Sequence, residues 1–274
     1  MLYIVPTPIG NLEDITLRAI RILKEADIIL TEDTRKTSIL LKHYSIYTKM
    51  SAYHKFNEHK TLDTIINRLK GGEKAALVSD AGTPLLSDPG YRLVRAAIEA
   101  GIRIEALPGA SAVLAALVVS GMPSDQFHFA GFLPSKQGAR KRALEALADE
   151  AATLIFYETP HRILEALDDI NAVYGSRDVV VARELTKMHE EVLRGTATQI
   201  RETLAARDSV RGEFVILIAK ASEPAVDDTP LEEAVAALIR SGVERMEAMK
   251  TVARQRGLSK REVYRLVNGL GGKD

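Results

Sequence analysis

Short apolar runs alternate with amphipathic stretches through the first half of the chain. Residues 2–5 form a continuous apolar run, which predicts a strand buried on both faces. Residues 16–26 then repeat apolar positions at helical spacing, with Leu17, Ile20, Ile22 and Leu23 suited to a buried side. The pattern continues with strands over 27–31, 75–78 and 102–107 and helices over 36–43, 58–69, 89–100 and 111–120. Gly71 and Gly72 end the third helix, because glycine readily takes the left-handed C-terminal conformation. Asp88 and Pro89 read as the N-cap and first residue of the 89–100 helix, with Gly101 beyond its end. Alternating strand and helix implies a parallel sheet covered on both faces.

Residues 121–125 read as a joint. Beyond it the pattern predicts strands over 127–132, 153–157, 178–182, 191–196 and 213–219, and helices over 137–149, 161–173 and 200–206. This is a second α/β unit with mixed strand directions. Residues 222–230, with two prolines and three acids, read as a linker. Residues 231–267 predict three short helices of helix-turn-helix form, and Ser259 with Glu262 has capping-box spacing. The expected organisation is an N-terminal α/β domain over 1–121, a second over 122–221, the linker, and a helical appendage over 231–274.

Composition narrows the function classes. Among 274 residues, 37 Lys+Arg balance 37 Asp+Glu, so any nucleic-acid contact must come from local cations and not from bulk charge. Cysteine is absent, which excludes thiolate metal sites, disulfides and cysteine nucleophiles. The histidines show no metal-ligand spacing, so no metal is expected. No signal peptide or bilayer-length apolar run is visible, so a cytoplasmic protein without a membrane partner is expected.

The predicted strand ends carry the chemistry, as expected where ligands bind beyond the carboxyl ends of an α/β sheet. The first four are Pro6-Thr7-Pro8-Ile9-Gly10-Asn11, Glu32-Asp33-Thr34-Arg35-Lys36-Thr37, Ser79-Asp80-Ala81-Gly82-Thr83-Pro84 and Pro108-Gly109-Ala110-Ser111-Ala112. Three are built from small residues and prolines, which let a ligand approach the backbone. Phe156-Tyr157-Glu158-Thr159-Pro160-His161-Arg162 and Arg183-Glu184-Leu185-Thr186-Lys187 place acid beside base in the second half. No dinucleotide fingerprint, Walker loop or nucleophile elbow appears.

Taken in order, and with Gly212-Glu213-Phe214, these motifs resemble the tetrapyrrole methylase superfamily, and within it the bacterial enzymes that methylate small-subunit ribosomal RNA. The resemblance covers about residues 1 to 220 and extends to the tail. It implies two α/β domains with S-adenosylmethionine between them, a homodimer, and methylation of a cytidine ribose 2′-hydroxyl in small-subunit ribosomal RNA, free or in the assembled subunit. Porphyrin and corrin methylases typically begin with a Gly-x-Gly-Pro-Gly-Asp loop, and its replacement here favours the RNA branch. By motif position Ile9, Asp80, Ala81, Gly82, Leu85, Ser111, Ala112, Tyr157 and Glu158 would line the cofactor site. Asp80 as a turn cap and Ser111 as a helix N-cap are the plainer readings.

Methyl transfer to a hydroxyl calls for a base or a nearby cation. Asp33, Glu184 and Lys187 are the candidate bases, with Arg35 to hold phosphate or ribose; each sits at a predicted strand end. A helix-capping turn with local ion pairs is the plainer reading of residues 32–35. A neutral Lys187 would need a lowered pKa, which burial could provide. Candidate RNA contacts are Lys136, Arg140, Lys141 and Arg142 beside the joint, and Lys250, Arg254, Arg256, Lys260, Arg261 and Arg265 in the appendage. A methylase acting on a tetrapyrrole or a protein, or a DNA-reading metabolite sensor, are the alternatives.

Overall fold

The structure, a computed structural model, describes residues 1–221, 229–255 and 258–269. Two compact units divide it, Met1–Lys220 and Ala221–Asp274. Most of the expected linker, residues 222–228, lies outside the described residues.

In the first unit, strands β1 Leu2–Ile4, β2 Ile28–Thr31, β3 Met50–Ala52, β4 Ala75–Leu77 and β5 Ile104–Ala106 form one sheet in the order β3-β2-β4-β1-β5. All its pairings are parallel. Alternate residues of each strand feed two cores. On one face Val5, Ile29 and Ala76 meet α1 Leu17–Glu25 and α2 Thr34–His43. On the other Leu2, Leu30 and Leu77 meet α3 Glu58–Lys70 and α4 Tyr91–Glu99. Sheet burial on both faces explains why the strands read as unbroken apolar runs.

Three local expectations change. A third strand, β3, was not expected; it is a half-buried edge strand paired only with β2. Leu17 is exposed, and α1 buries Ala19, Ile22 and Leu23 instead. The fourth helix starts at Tyr91, not Pro89, and its N-cap is Gly90 at φ 135°, so Asp88 does not cap it. A Cβ on Gly90 would stand 2.8 Å from Leu77 Cδ2, so both backbone angle and space exclude a larger residue there.

The second sheet comprises β6 Phe127–Phe132, β7 Thr153–Glu158, β8 Asp178–Arg183, β9 Glu191–Thr196 and β10 Phe214–Ile218, in the order β6-β7-β10-β8-β9. β6 and β7 are parallel, and the other pairings are antiparallel. One face packs on α6 Gln137–Glu145, α7 Ile163–Tyr174 and α8 Ala197–Ala205. The other face packs on α5 Ala112–Ser120 through Val113, Ala116 and Leu117, which meet Ile155, Val180, Val215 and Leu217. The helix that leaves the first sheet is thus part of the second sheet's core.

Arg140 departs from its expected role as a surface cation. Its side chain is 1% exposed, with Nε 2.7 Å from Asp169 Oδ2 and Nη2 3.3 Å from Glu165 Oε2. Lys141 reaches the same Asp169 at 3.6 Å. The cluster around 136–142 is in part an internal ion-pair network.

The second unit contains α9 Leu231–Arg240, α10 Arg245–Gln255 and α11 Lys260–Gly269 around a small core of Val235, Ala248, Met249, Val252 and Val263. Ser259 N donates to Glu262 Oε2 at 2.7 Å and Glu262 N to Ser259 Oγ at 3.3 Å, the capping box its sequence signals. Lys250 is exposed and pairs with Glu247 at 2.9 Å, and Arg265 is exposed. Arg256 and the side chains of Arg254, Lys260 and Arg261 lie outside the described residues. Among the described residues, no helix is long and apolar enough to cross a membrane and no group of three or more His, Asp or Glu could hold a metal.

Candidate active site

The carboxyl ends of the first sheet's strands are tied to one another by main-chain and hydroxyl bonds. Thr7 and Gly82 exchange both backbone hydrogen bonds at 2.9 Å. Thr7 Oγ1 donates to Ser79 O at 3.1 Å, and Thr83 Oγ1 to Ala110 O at 3.0 Å. The loops after β1, β4 and β5 therefore form one wall. The first loop also meets the second sheet: Asn11 N donates to Thr186 Oγ1 at 3.1 Å. A Cβ on Gly10 would collide with Lys187 Cγ and lie 2.8 Å from Thr186 Oγ1. Gly10→Ala should therefore part these two loops and weaken ligand binding about tenfold, read by calorimetry; unchanged affinity would show that the contact is not needed.

Between these loops and the second sheet lies a cavity of about 320 Å³, within the range of small-molecule sites. Eight of the nine residues expected at a cofactor site line this cavity: Ile9, Asp80, Ala81, Gly82, Ser111, Ala112, Tyr157 and Glu158. Leu85 does not; its side chain packs toward Gly90 and the first sheet's core. Ser111 occupies the N-cap position of α5 without a side-chain capping bond. Asp80 caps no turn of its own. Its Oδ1 accepts from Asp33 N at 3.1 Å and its Oδ2 from Lys36 Nζ at 2.9 Å.

Glu158 is 2% exposed at the end of β7. Its Oε1 accepts from Thr159 N at 2.7 Å and pairs with Arg162 Nη2 at 2.8 Å. Its Oε2 is buried and has no hydrogen-bond partner. A buried carboxylate oxygen without a donor is costly, and here it belongs to a residue of the cavity wall.

Asp88 also lines the cavity. Burial first, then the nearby charges of Glu32 and Asp80, push its carboxyl up to about 6, while Lys36 opposes the shift. Its segment is held in unusual backbone: Leu85, Ser87 and Gly90 have φ of 72°, 69° and 135°. Tyr157 faces it. Burial, then the Asp88 charge, push the phenol up to about 12, so it stays protonated at neutral pH. Phe129 and Phe132 hold the Tyr157 ring edge-on at 4.9 and 5.5 Å.

The four residues considered for proton handling and phosphate contact stand outside the cavity lining. Asp33 caps α2, and its carboxylate accepts from Arg35 N at 2.9 Å and Arg35 Nη2 at 2.8 Å. The Arg35 hydrogen bonds hold it far below the usual carboxylate range. Glu184 Oε1 accepts from Lys187 Nζ and Glu213 N, both at 2.9 Å. Burial raises the Glu184 pKa, but Lys187 and the Glu213 N–H outweigh it, and the net shift is down. Burial lowers Lys187, but Glu213 and Glu184 outweigh it, and its pKa is raised. The lowered pKa that a neutral Lys187 would require is thus not what its surroundings supply.

The sequence reading missed Leu86, Ser87, Asp88, Phe132 and the 212–215 wall. Only Gly212-Glu213-Phe214 carried a signal, as a motif without an assigned place.

Two α/β layers thus close on a cavity lined in part by small-residue loops. The sequence profile described as Tetrapyrrole (Corrin/Porphyrin) Methylases matches residues 1–201, and the chain belongs to that family of methyltransferases. The diphthine synthase crystal structure shares the fold, with a TM-score of 0.62 at 14% identity, covering 80% of this chain and 89% of that one. Within the family, the chain groups with proteins named ribosomal RNA small subunit methyltransferase I. One from Halalkalibacterium halodurans is 45% identical over 97% of this chain and 93% of its own. Another from Mesorhizobium japonicum is 48% identical over 96% and 90%.

Proposed function

We propose that this chain transfers the methyl group of S-adenosylmethionine to the ribose 2′-hydroxyl of a cytidine in small-subunit ribosomal RNA. The observation that carries cofactor use is the cavity itself, walled by small-residue loops and by the carboxylates of Asp80 and Asp88. The carboxylates and main-chain carbonyls of its wall accept hydrogen bonds, and S-adenosylmethionine offers ammonium, amino and hydroxyl donors. The carboxylates of Asp80 and Asp88 favour a cationic ligand electrostatically. Small residues at 81, 82 and 112 leave main-chain groups open to it. The RNA acceptor is supported by the names of the relatives.

When bound, the cofactor supplies an electrophilic methyl carbon, whose bonding pair stays with sulfur as the acceptor oxygen's pair forms the new bond. Asp88 takes the proton that the hydroxyl gives up. It is the cavity carboxylate whose pKa is raised toward neutrality, where a base is most effective. Tyr157 stays protonated and so cannot take up that proton. The depressed carboxylates of Asp33 and Glu184 are weaker bases, and Arg35 remains an exposed cation for the RNA side. The reading includes a cytoplasmic homodimer, for which Leu114, Val118 and Val119 supply an exposed apolar surface on α5.

Calorimetry with S-adenosylmethionine, then labelled methyl transfer offered in parallel to small ribosomal subunits, naked RNA and a porphyrinogen, tests the whole reading. Transfer to the porphyrinogen alone would replace the RNA acceptor with a tetrapyrrole. Glu158→Gln keeps the shape and removes the charge. By loosening the Arg162 pair and the turn at Thr159 that shape this end of the cavity, it should weaken S-adenosylmethionine binding by about 10-fold; unchanged affinity would show that this pair does not shape the site.

A further inference from the structure

The segment after β3 and the start of α4 carry exposed rings and cations that the cavity does not use. Phe56 is 90% exposed and Tyr91 69% exposed. Lys55, His59 and Lys60, beside Phe56 in the chain, and Arg92, beside Tyr91, are also exposed.

The segment is built and anchored. Tyr53 is fully buried beneath it. Asn57 clamps the turn, its Oδ1 accepting from His54 N at 2.8 Å and its Nδ2 donating to Ala52 O at 2.9 Å. The His54 ring stands edge-on to Phe56 with centroids 6.1 Å apart. Arg92 ties the start of α4 to α3: its Nη1 lies 3.2 Å from His59 Nδ1, and its Nε 3.1 Å from Glu58 Oε1.

This surface begins where the cavity wall ends. Leu86, Ser87 and Asp88 line the cavity, and Tyr91 follows at the first residue of α4. Rings held out in water beside cations are the recognition chemistry of single-stranded nucleic acid. Bases stack on the rings and phosphates meet the cations. A folded duplex offers neither exposed base faces nor the reach into a cavity that a ribose acceptor needs.

We propose that this rim is the docking platform for a single-stranded RNA segment, whose neighbouring nucleotide enters the cavity at Asp88. Phe56 and Tyr91 stack on its bases, and Lys55, Lys60 and Arg92 contact its phosphates. The proposal rests on the RNA-acceptor reading. It moves the contact away from the 136–142 cluster, where Arg140 is committed to Asp169.

The experiment uses the full chain, a fluorescently labelled single-stranded oligoribonucleotide, and small ribosomal subunits. Phe56→Ala and Tyr91→Ala should each weaken oligonucleotide binding roughly 5- to 100-fold and raise KM for the subunit. S-adenosylmethionine affinity and kcat at saturating subunit should stay unchanged. Phe56→Trp should restore binding, and Lys55→Ala with Lys60→Ala should reduce the slope of log affinity against log salt by about 1.5. Wild-type binding that survives both ring substitutions within twofold overturns the platform alone. Absence of both RNA binding and subunit methylation in a wild-type protein that still binds S-adenosylmethionine overturns the acceptor reading, and the platform with it.

Discussion

Replacing Asp88 by Asn should lower kcat about 100-fold or more while the protein becomes more stable. A positioned proton acceptor contributes on the order of 10² to 10⁴ in rate, and Asn keeps the shape but cannot accept the proton. In the wild type, kcat should fall about tenfold per pH unit below about 6, as the Asp88 carboxyl protonates. The variant's residual rate should lack that limb. The stability change follows from the same raised pKa. The protonated form is favoured by the fold, so its contribution is present below the unfolded value near 4 and is lost as pH rises through about 6. Solvent screening at this half-buried position leaves roughly 1 kcal/mol as the cost of the charge at neutral pH. The Asp88→Asn variant avoids that cost, so the gain in Tm should appear at pH 7.5 and vanish at pH 4. Calorimetric affinity for S-adenosylmethionine separates the roles. Equal losses of affinity and rate would make Asp88 a cofactor contact and not a base.

The largest effect on stability is expected at Asp169. Arg140 is buried among the second sheet's helices, and Asp169 Oδ2 receives its Nε at 2.7 Å. Gln137 Nε2 donates to the other oxygen at 3.2 Å. Asp169→Ala leaves a buried guanidinium with only the exposed Glu165 carboxylate and the Ser135 carbonyl. Removing one partner of such a pair destabilises by about 3–5 kcal/mol, which lowers Tm by roughly 10 °C at this chain length. The double variant Arg140→Met with Asp169→Leu should recover most of the loss, because it buries no charge. A single variant with wild-type Tm in a thermal melt would show that the pair carries little.

How far these features were legible in the sequence depends on whether the signal is local. The strands of the first sheet read clearly because both faces are buried, so each is an apolar run. β3 escaped because an edge strand of three half-buried residues has no such run. The small-residue loops announced most of the first sheet's share of the cavity. The wall at 212–215 depends on β10 pairing with both β7 and β8, a long-range arrangement that spacing does not encode. At Asp88 the local signal misled. Asp followed by Pro is a strong helix-start pattern, but the positive φ at Ser87 and Gly90 delays the helix and leaves the carboxyl on the cavity wall. For Arg140 a signal existed: Leu144 lies four residues on, on the same helical face, and both are buried.

The placement of α5 bears on how the chain can be divided. By sequence this helix closes the first half, yet Val113, Ala116 and Leu117 are buried against strands that arrive only after residue 150. Their cover is complete only once β10 has been made and pairs between β7 and β8. A gene cut after Gly121 would yield an N-terminal fragment with an uncovered apolar helix and a C-terminal fragment with a bare sheet face. Each should aggregate alone, and co-expression should recover soluble protein only as a complex of the two. The earliest cut consistent with two clean products lies after Lys220, where the first compact unit ends.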